Sequence, residues 1–412
     1  MRIGGVLAVV AALVVTSCSS GSSTTSGASK ATAAPSPTPS PASAAVHFAE
    51  YAGAYRSDDG TTYAVNGHGH LLNLDDGWFR QLYPTSTADH LTVGPGFMVS
   101  TPKEADVTFH LAGQRADQMT LAPVTGQPVV ARRLQFKETE VHVPAQGAVL
   151  AGTITEPITA GPHPGIVIVH GSGLGPRIDY GVWVALYASL GLTVLAYDKR
   201  GNGDSTGQYP GELASEENLR IYADDAAASV RFLAAFPGVD AHRVGFHGGS
   251  QGGWTVPLAI QRDPDAAFAV LVSGPAVTVG QQGVWAAFSG GSRQLPTESA
   301  AAMNAAVRAD HSGYDPGPIL ATMSKPIVWL NGEIDRQVPT TVNSEVLHGL
   351  GKSNFDIQVL PGVDHGLFET ATGLTQDDDQ AQRLGRDVFV RIATWLSAHG
   401  FSTPQPESPP TP

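Results

Sequence analysis

A glycine-rich turn constrains the fold of this chain more than any other stretch. Residues 243–254 have the sequence Arg-Val-Gly-Phe-His-Gly-Gly-Ser-Gln-Gly-Gly-Trp, in which the residues around Ser250 fit the pattern G-x-S-x-G. This pattern is typical of a serine held on a sharp turn between a strand and a helix, with its hydroxyl exposed as a nucleophile. The apolar run before the turn favours a strand, and the pattern after it favours a helix as far as Arg262. Because Gly248 and Gly252 crowd the serine, we expect a side chain at either position to clash with the turn.

Two downstream strand ends carry the partners that a serine nucleophile needs. Serine attacks efficiently only when a histidine accepts its proton and a carboxylate orients that histidine. One buried-type strand leads into the loop that holds Asp335, and the next strand leads into the loop that holds His365. The order serine, acid, histidine therefore predicts that Ser250, Asp335 and His365 lie together on one rim of a sheet. We interpret the adjoining Glu333 and Asp364 as structural groups.

With these motifs the chain resembles the α/β-hydrolase superfamily, and within it the serine esterases related to dienelactone hydrolases and acyl-peptide hydrolases, over residues 134–400. The resemblance implies an α/β fold with an eight-stranded, mostly parallel sheet flanked by helices. The spacing of apolar residues predicts the last helix at residues 381–399. The resemblance also implies a role for each of three side chains. Ser250 attacks an acyl carbon, His365 acts as base and then as acid, and Asp335 fixes the imidazole tautomer.

A second turn supplies the expected oxyanion hole. The unbroken apolar run at residues 165–169 has the pattern of a central parallel strand, and it leads into a turn with the sequence His-Gly-Ser-Gly. The resemblance implies that this turn donates one backbone N–H and that Gln251, the residue after the serine, donates the other. Ser172 is the expected donor in the turn. Gly173 stays open as the alternative, because two extra residues separate the turn from Pro176, whereas the proline follows directly in the related esterases.

These features together predict a serine carboxylic ester hydrolase that acts on short to medium acyl esters through an acyl-enzyme. The same groups would serve a thioesterase, a peptidase or an acyltransferase, so these alternatives stay open. The region before the hydrolase part is too short for the β-propeller of a gated oligopeptidase. A surface-binding lipoprotein that kept the fold without its chemistry is a further alternative, but the intact Ser250, Asp335 and His365 weigh against it.

Charge and motif spacing argue against several other classes. The formal net charge is −13 and no basic run occurs, which argues against nucleic acid as a partner. A dinucleotide motif G-x-G-x-x-G fails at Pro176, and a P-loop before Lys352 fails at Val346. No H-E-x-x-H or comparable ligand spacing occurs. We therefore expect a small-molecule ester as the partner, and neither a metal nor another cofactor.

An insertion at residues 275–322 lies where this fold often has a short cap. Its apolar side chains are candidates for an acyl pocket, and they are equally suited to packing the cap on the sheet. The charged turn at residues 198–205, which includes Arg200, and the histidines His170 and His247 are interpreted as structural. The candidate pocket residues are Trp254, Trp285, Phe288 and Met303.

Both ends of the chain differ in composition from the rest. An apolar run at residues 3–15, too short to span a bilayer, is followed by Thr-Ser-Cys with the only cysteine, Cys18. Residues 1–18 thereby resemble a bacterial lipoprotein signal, with a plain secretory signal and a secreted product as the alternative. Residues 19–45 and 402–412 are poor in large apolar groups and rich in proline, so we expect a disordered tether and tail. The chain is expected to be exported to the bacterial cell envelope and anchored to the outer face of the membrane through lipid on Cys18.

Residues 46–131 are predicted to form a small antiparallel β domain. The pairs Asp59-Gly60, Asn66-Gly67 and Asp76-Gly77 are strong turn signals between short apolar runs. The pattern favours a barrel or a sandwich and resembles the lipocalin-like β domains attached to some bacterial serine hydrolases. A scaffold is expected rather than a ligand carrier. The predicted strands are 62–65, 70–74, 78–82, 97–100, 107–111 and 118–121.

Overall fold

The N-terminal part of the chain forms a sheet of nine short strands. The computed structural model describes residues 48–402, except residue 386. Hydrogen-bonded neighbours in this sheet all run antiparallel. The strands are β1 (Gly53–Ser57), β2 (Thr62–Val65), β3 (His70–Asn73), β4 (Phe79–Gln81), β5 (Tyr83–Pro84), β6 (His90–Val93), β7 (Ala105–Ala112), β8 (Arg115–Pro123) and β9 (Val129–Arg133).

This sheet closes into a barrel. Its order is β4-β3-β2-β1-β9-β8-β7-β6-β5, and the two outermost strands are separated in the chain only by Leu82. The chain itself therefore joins the two edges. Large side chains fill the interior, among them Tyr55, Phe109 and Met119. The Arg133 guanidinium lies inside this cluster, 4.9 Å from the centroid of the Tyr55 ring. A packed interior fits a scaffold better than a ligand carrier.

The predicted strand at residues 97–100 is wrong, and β1, β5, β6 and β9 were not predicted. Residues 97–100 form only an isolated bridge between Gly96 and Val99. The Phe97 N–H instead donates to the Ala381 carbonyl at 2.8 Å, and the Met98 N–H donates to the Asp379 carbonyl at 2.9 Å. These two N–H groups thus bond to the second part of the molecule, whereas the Phe97 carbonyl bonds to the barrel, where it accepts from the Gln81 N–H of β4 at 2.8 Å.

The second sheet confirms the predicted α/β fold. Five of the seven pairs of neighbouring strands in this sheet are parallel. The two antiparallel pairs are those made by the strand Ala148–Pro157. The strands are β10 (Phe136–Ala145), β11 (Ala148–Pro157), β12 (His163–Val169), β13 (Thr193–Tyr197), β14 (Val239–Gly249), β15 (Ala269–Val272), β16 (Ile327–Gly332) and β17 (Phe355–Leu360), in the order β10-β11-β13-β12-β14-β15-β16-β17.

Strand β12 shows why this sheet is covered on both faces. Ile166 and Ile168 belong to one hydrophobic core, whereas Val167 and Val169 belong to the other. Alternate side chains of a strand point to opposite faces, so a continuous apolar run serves two helical layers. The helices are α1 (Gly181–Ser189), α2 (Glu216–Ala234), α3 (Gly252–Arg262), α4 (Val279–Phe288), α5 (Ala300–Ala309), α6 (Gly317–Thr322), α7 (Thr340–Gly349), α8 (Thr375–Asp378) and α9 (Val388–Ala398).

The predicted last helix begins too early. It was expected from residue 381, but α9 begins at Val388. The backbone before it bonds to the barrel, because the Gln382 carbonyl accepts from the Phe79 N–H at 3.4 Å and the Leu384 N–H donates to the Gly77 carbonyl at 2.8 Å. These groups are therefore not available to a helix.

The predicted signal at residues 1–18 and tether at residues 19–45 lie outside the described residues, as does the predicted tail beyond residue 402. Within the described part of the chain, none of the helices has the length and apolar character that crossing a membrane requires.

Candidate active site

Ser250 lies on a strained turn between β14 and α3. Its φ is +48°, in the left-handed region that residues other than glycine rarely adopt. The Ser250 N–H donates to the Val272 carbonyl at 3.0 Å, which ties the turn to the end of β15. Strain of this kind persists only where the surrounding structure holds it, and it is common at functional sites. The turn thereby fixes the position of the serine hydroxyl above the strand ends.

The expectation for the two flanking glycines is wrong for one of them. A Cβ on Gly248 would lie 2.8 Å from Val256 Cγ2, too close for any side chain. The nearest atom to a Cβ on Gly252 would be 3.9 Å away, which is an ordinary contact. The crowded position is the next one, Gly253, where a Cβ would lie 2.6 Å from the backbone nitrogen of Pro275. The first turn of α3 packs on the chain that follows β15, and this packing excludes a side chain there.

The structure brings Ser250, His365 and Asp335 into one hydrogen-bonded series. His365 Nδ1 lies 2.7 Å from Asp335 Oδ2, and His365 Nε2 lies 3.1 Å from Ser250 Oγ. Asp335 and His365 are buried, with 1 % and 4 % of their surface exposed. With Nδ1–H donating to the carboxylate, Nε2 accepts the serine proton. The arrangement can move a proton from the hydroxyl to the imidazole and stabilise the resulting charge.

The Asp335 carboxylate is held by its own loop. Its Oδ1 accepts from the N–H groups of Gln337 at 2.7 Å and Val338 at 2.8 Å, which leaves Oδ2 for the histidine. Glu333, two positions earlier, instead accepts from the Gly362 N–H at 2.9 Å and so connects two loops. Of these two acids, Asp335 is the one that contacts His365.

The backbone N–H groups of Gln251 and of the turn after β12 are available to an oxyanion. Among the hydrogen bonds of the described residues, none has the N–H of Gln251, Ser172 or Gly173 as its donor. Gln251 precedes the first turn of α3, where the helix dipole favours negative charge. Both turns that the sequence predicts to form the oxyanion hole therefore have free donors.

The two histidines interpreted as structural are fully packed. His170 Nε2 donates to the Tyr197 carbonyl at 2.6 Å, and His247 Nδ1 lies 2.8 Å from the Tyr187 hydroxyl. Burial lowers the pKa of each imidazole to about 3, so both stay neutral. Among the described residues, no cluster of three or more His, Cys, Asp or Glu side chains is arranged to hold a metal ion.

In the charged turn after β13, Arg200 and Lys199 have different kinds of partner. Arg200 pairs locally with Asp225, with a shortest distance of 2.5 Å. Lys199 makes no ion pair among the described residues, and its ammonium donates to the carbonyls of Gly171 at 2.8 Å and Gly173 at 3.0 Å. It therefore binds the candidate oxyanion turn. The only sequence signal is a lysine almost directly after a wholly apolar strand.

The four candidate pocket residues fall into two groups. Trp254 and Met303 are packed inside, each 4 % exposed, and Trp254 Nε1 donates to the Val277 carbonyl at 2.8 Å. Trp285 and Phe288 lie on α4 and are partly exposed. Trp285 Nε1 donates to the Asp335 carbonyl at 3.1 Å, so the cap rests on the loop that carries the acid.

The chain is similar in part to several known proteins. The model of the prolyl oligopeptidase family matches residues 180–384. An uncharacterized protein of Mycobacterium tuberculosis is 27% identical over 273 residues, which are 65% of this chain and 85% of that protein. An esterase of Pyrococcus furiosus is 16% identical, with a TM-score of 0.44 over 65% of this chain and 90% of its own. Acetyl xylan esterase 1 of Thermoanaerobacterium sp. is 18% identical, with a TM-score of 0.40 over 69% of this chain and 82% of its own.

Proposed function

We propose that this chain, which has the α/β-hydrolase fold, is a serine carboxylic ester hydrolase that acts on short to medium acyl esters. The series Ser250–His365–Asp335, with distances of 3.1 Å and 2.7 Å, is the observation that supports the proposal most strongly. The unbonded N–H groups of Gln251 and Ser172 beside it support the same chemistry.

The reaction proceeds in two halves. Ser250 Oγ forms a bond to the acyl carbon while His365 Nε2 takes the hydroxyl proton, and the carbonyl oxygen becomes an oxyanion. The N–H groups of Gln251 and Ser172 stabilise that oxyanion. Its collapse breaks the bond to the alcohol, which leaves with the proton from His365. Water then attacks the acyl-enzyme with His365 as base, and the acid and free Ser250 are released.

A fluorophosphonate probe followed by peptide mapping tests the proposal. The wild-type chain should be labelled at Ser250 and should hydrolyse nitrophenyl butyrate, and Ser250→Ala should abolish labelling and lower turnover by about 10⁶-fold. Ser273→Ala is the matched control, because Ser273 follows the neighbouring strand and its buried hydroxyl has no partner among the described residues. Turnover of more than a few per cent in Ser250→Ala would overturn the assignment of the nucleophile.

A peptidase is the second candidate, and the match to the prolyl oligopeptidase family favours it. Cleavage of an amide depends more on protonation of the leaving group than cleavage of an ester does, because an amine leaves less readily than an alcohol. Both reactions use the same nucleophile and the same oxyanion donors. Nitrophenyl esters and peptidyl nitroanilides of matched acyl groups separate the two functions. Higher catalytic efficiency on the anilides would replace the esterase proposal with a peptidase.

We also propose that the chain is exported and held at the outer face of a bacterial membrane through lipid on Cys18. The apolar run at residues 3–15 followed directly by the only cysteine supports this location.

A further inference from the structure

Lys199 is a buried cation without a carboxylate partner. Only 3 % of its surface is exposed, and no ion pair among the described residues includes it. Its ammonium donates to two carbonyls, those of Gly171 at 2.8 Å and Gly173 at 3.0 Å. The same ammonium lies 4.3 Å from the centroid of the Tyr222 ring and 5.8 Å from that of Tyr209. Carbonyl dipoles and ring faces are therefore its immediate surroundings.

Such an environment is unfavourable for the charged form. Burial lowers the pKa of Lys199 to about 7, and the more distant carboxylates of Glu212 and Asp225 offset only part of this effect. A buried ammonium lowers stability unless its hydrogen bonds compensate. The ammonium nevertheless lies against the turn after β12, a strand whose last residue, Val169, pairs with Gly248 of the strand that leads to Ser250.

The first of the two carbonyls belongs to the peptide that carries the Ser172 N–H. A trans peptide is planar, so its C=O and N–H point in opposite directions. The Gly171–Ser172 peptide is trans. A donor bound to the Gly171 oxygen therefore fixes the Ser172 N–H on the side away from Lys199. It also polarises the peptide, which makes the N–H a stronger donor.

Further bonds hold the same turn from the same side. The Tyr209 hydroxyl donates to the Gly173 carbonyl at 3.2 Å, and the Lys199 backbone N–H donates to the Gly175 carbonyl at 3.1 Å. Carbonyls along the turn are thus occupied by the segment after β13. Nothing comparable among the described residues occupies the Ser172 N–H, which stays available to a ligand.

We propose that Lys199 is a positioning residue for the oxyanion hole, and that its ammonium orients and polarises the Gly171–Ser172 peptide so that the Ser172 N–H stabilises the tetrahedral intermediate. This inference rests on the proposed esterase function. It assigns Ser172, rather than Gly173, as the donor from this turn. Lys199 does not touch the substrate, and it acts through the peptide alone.

Lys199→Met tests the inference, because it removes the ammonium and keeps most of the apolar stem. We expect kcat for nitrophenyl butyrate to fall by about 10²-fold, near the loss of one oxyanion donor, with KM changed little. Affinity for butylboronic acid, which forms a tetrahedral adduct with the serine, should fall in parallel. Affinity for butyrate, which forms none, should stay the same. A merely structural role would instead weaken both ligands together, and that result would overturn the inference.

Lys352→Met is the matched control, since the Lys352 ammonium also donates to a carbonyl, that of Ala321 at 2.9 Å, on an exposed surface. Its kcat should equal the wild-type value. If Lys199→Met does not fold, Lys199→Gln is measured in the same way, and an unchanged kcat in the folded variant overturns the inference. A wild-type chain that neither hydrolyses esters nor reacts with fluorophosphonate would refute the proposed function itself. An active wild type with an equally active Lys199 variant would refute only the role of Lys199.

Discussion

The Phe97 ring, between β6 and β7, lies 5.3 Å from the ring of Phe368, three residues beyond His365 in the chain. Phe97 also stacks on Phe79, with 4.3 Å between ring centroids. The Phe368 N–H donates to the Asp364 carboxylate at 2.8 Å, next to His365. The barrel therefore supports the loop that carries the histidine, which gives the N-terminal sheet a structural connection to the site.

Loss of this contact should affect both stability and reactivity. Phe97→Ala should lower the free energy of unfolding by about 3–5 kcal/mol and slow fluorophosphonate labelling of Ser250, because the His365 loop loses its support. Phe109→Ala is the matched control, since Phe109 is also buried but stacks on Tyr51 inside the barrel at 4.3 Å. It should lower stability comparably and leave the labelling rate unchanged. Denaturant unfolding and labelling kinetics measure both quantities, and equal labelling rates in the two variants would contradict this role of the barrel.

The two acids after β16 should differ sharply in their effect on turnover. Asp335→Asn should lower kcat by about 10⁴-fold, because the amide favours the wrong tautomer of His365. Glu333→Gln should change kcat little, since Glu333 bonds to the Gly362 N–H and not to the histidine. Steady-state kinetics on one ester compares the two variants. The reverse ranking would move the role of the acid to Glu333.

Local patterns in the sequence predicted the second sheet well, because central strands such as β12, β15 and β16 contain apolar runs and several of its turns carry glycine. The barrel was predicted less well, since β1 and β9 pair with each other across more than seventy residues. The contact of Phe97 with Phe368 and the bonds of Lys199 are likewise invisible in one sequence, because both join distant segments. Gly253 was missed for the same reason, since its crowding comes from Pro275.

A carboxyl pair beside the histidine should make stability depend on pH. Burial raises the pKa of Asp364 to about 6 and that of Asp378 to about 9, and at Asp378 the neighbouring Asp364 carboxylate adds to the rise, so the folded chain holds a proton that the unfolded chain releases. Because the folded state binds more protons, stability falls as pH rises. Asp378→Asn should therefore raise the Tm at about pH 8 and change it little at about pH 5. Asp356→Asn, at an exposed acid on β17, is the control. A pH dependence of Tm that is the same in Asp378→Asn and wild type would count against the shared proton.

Lipid attachment at Cys18 should determine whether the chain is recovered in the membrane fraction or in the soluble fraction. Cys18→Ser should lose lipid attachment and shift from the membrane fraction to the soluble fraction, because a single short apolar run gives no stable anchor. Esterase activity per molecule should not change, since the residue precedes the described domains. Fractionation of expressing bacterial cells after a salt wash measures the distribution. Ser17→Ala is the control and should remain with membranes. Equal membrane recovery of Cys18→Ser and wild type would refute anchoring at this cysteine.

The cap is fastened to the loop that carries the acid. On its first helix, α4, the Gln282 side chain donates to the Gln337 carbonyl at 2.8 Å, and the Trp285 indole donates to the Asp335 carbonyl at 3.1 Å. The Ser289 hydroxyl, directly after α4, donates to the Arg336 carbonyl at 2.8 Å. Because three hydrogen bonds join α4 and the residue after it to the consecutive residues 335–337, α4 is not suited to act as a mobile lid.

A short, fastened cap should limit the acyl chains that the enzyme accepts. Each buried methylene contributes about 0.8 kcal/mol, so catalytic efficiency should rise with chain length only until the pocket is filled. We expect nitrophenyl acetate to hexanoate esters to be better substrates than the palmitate, with no jump in rate when the substrate forms an emulsion. Trp285→Ala should shift the preference towards longer chains, because it removes bulk and a bond that holds α4 to Asp335. Efficiency that continues to rise beyond a twelve-carbon acyl group, or activation by emulsified triglyceride, would show instead that α4 opens and that Trp285 and Phe288 belong to a lipase tunnel.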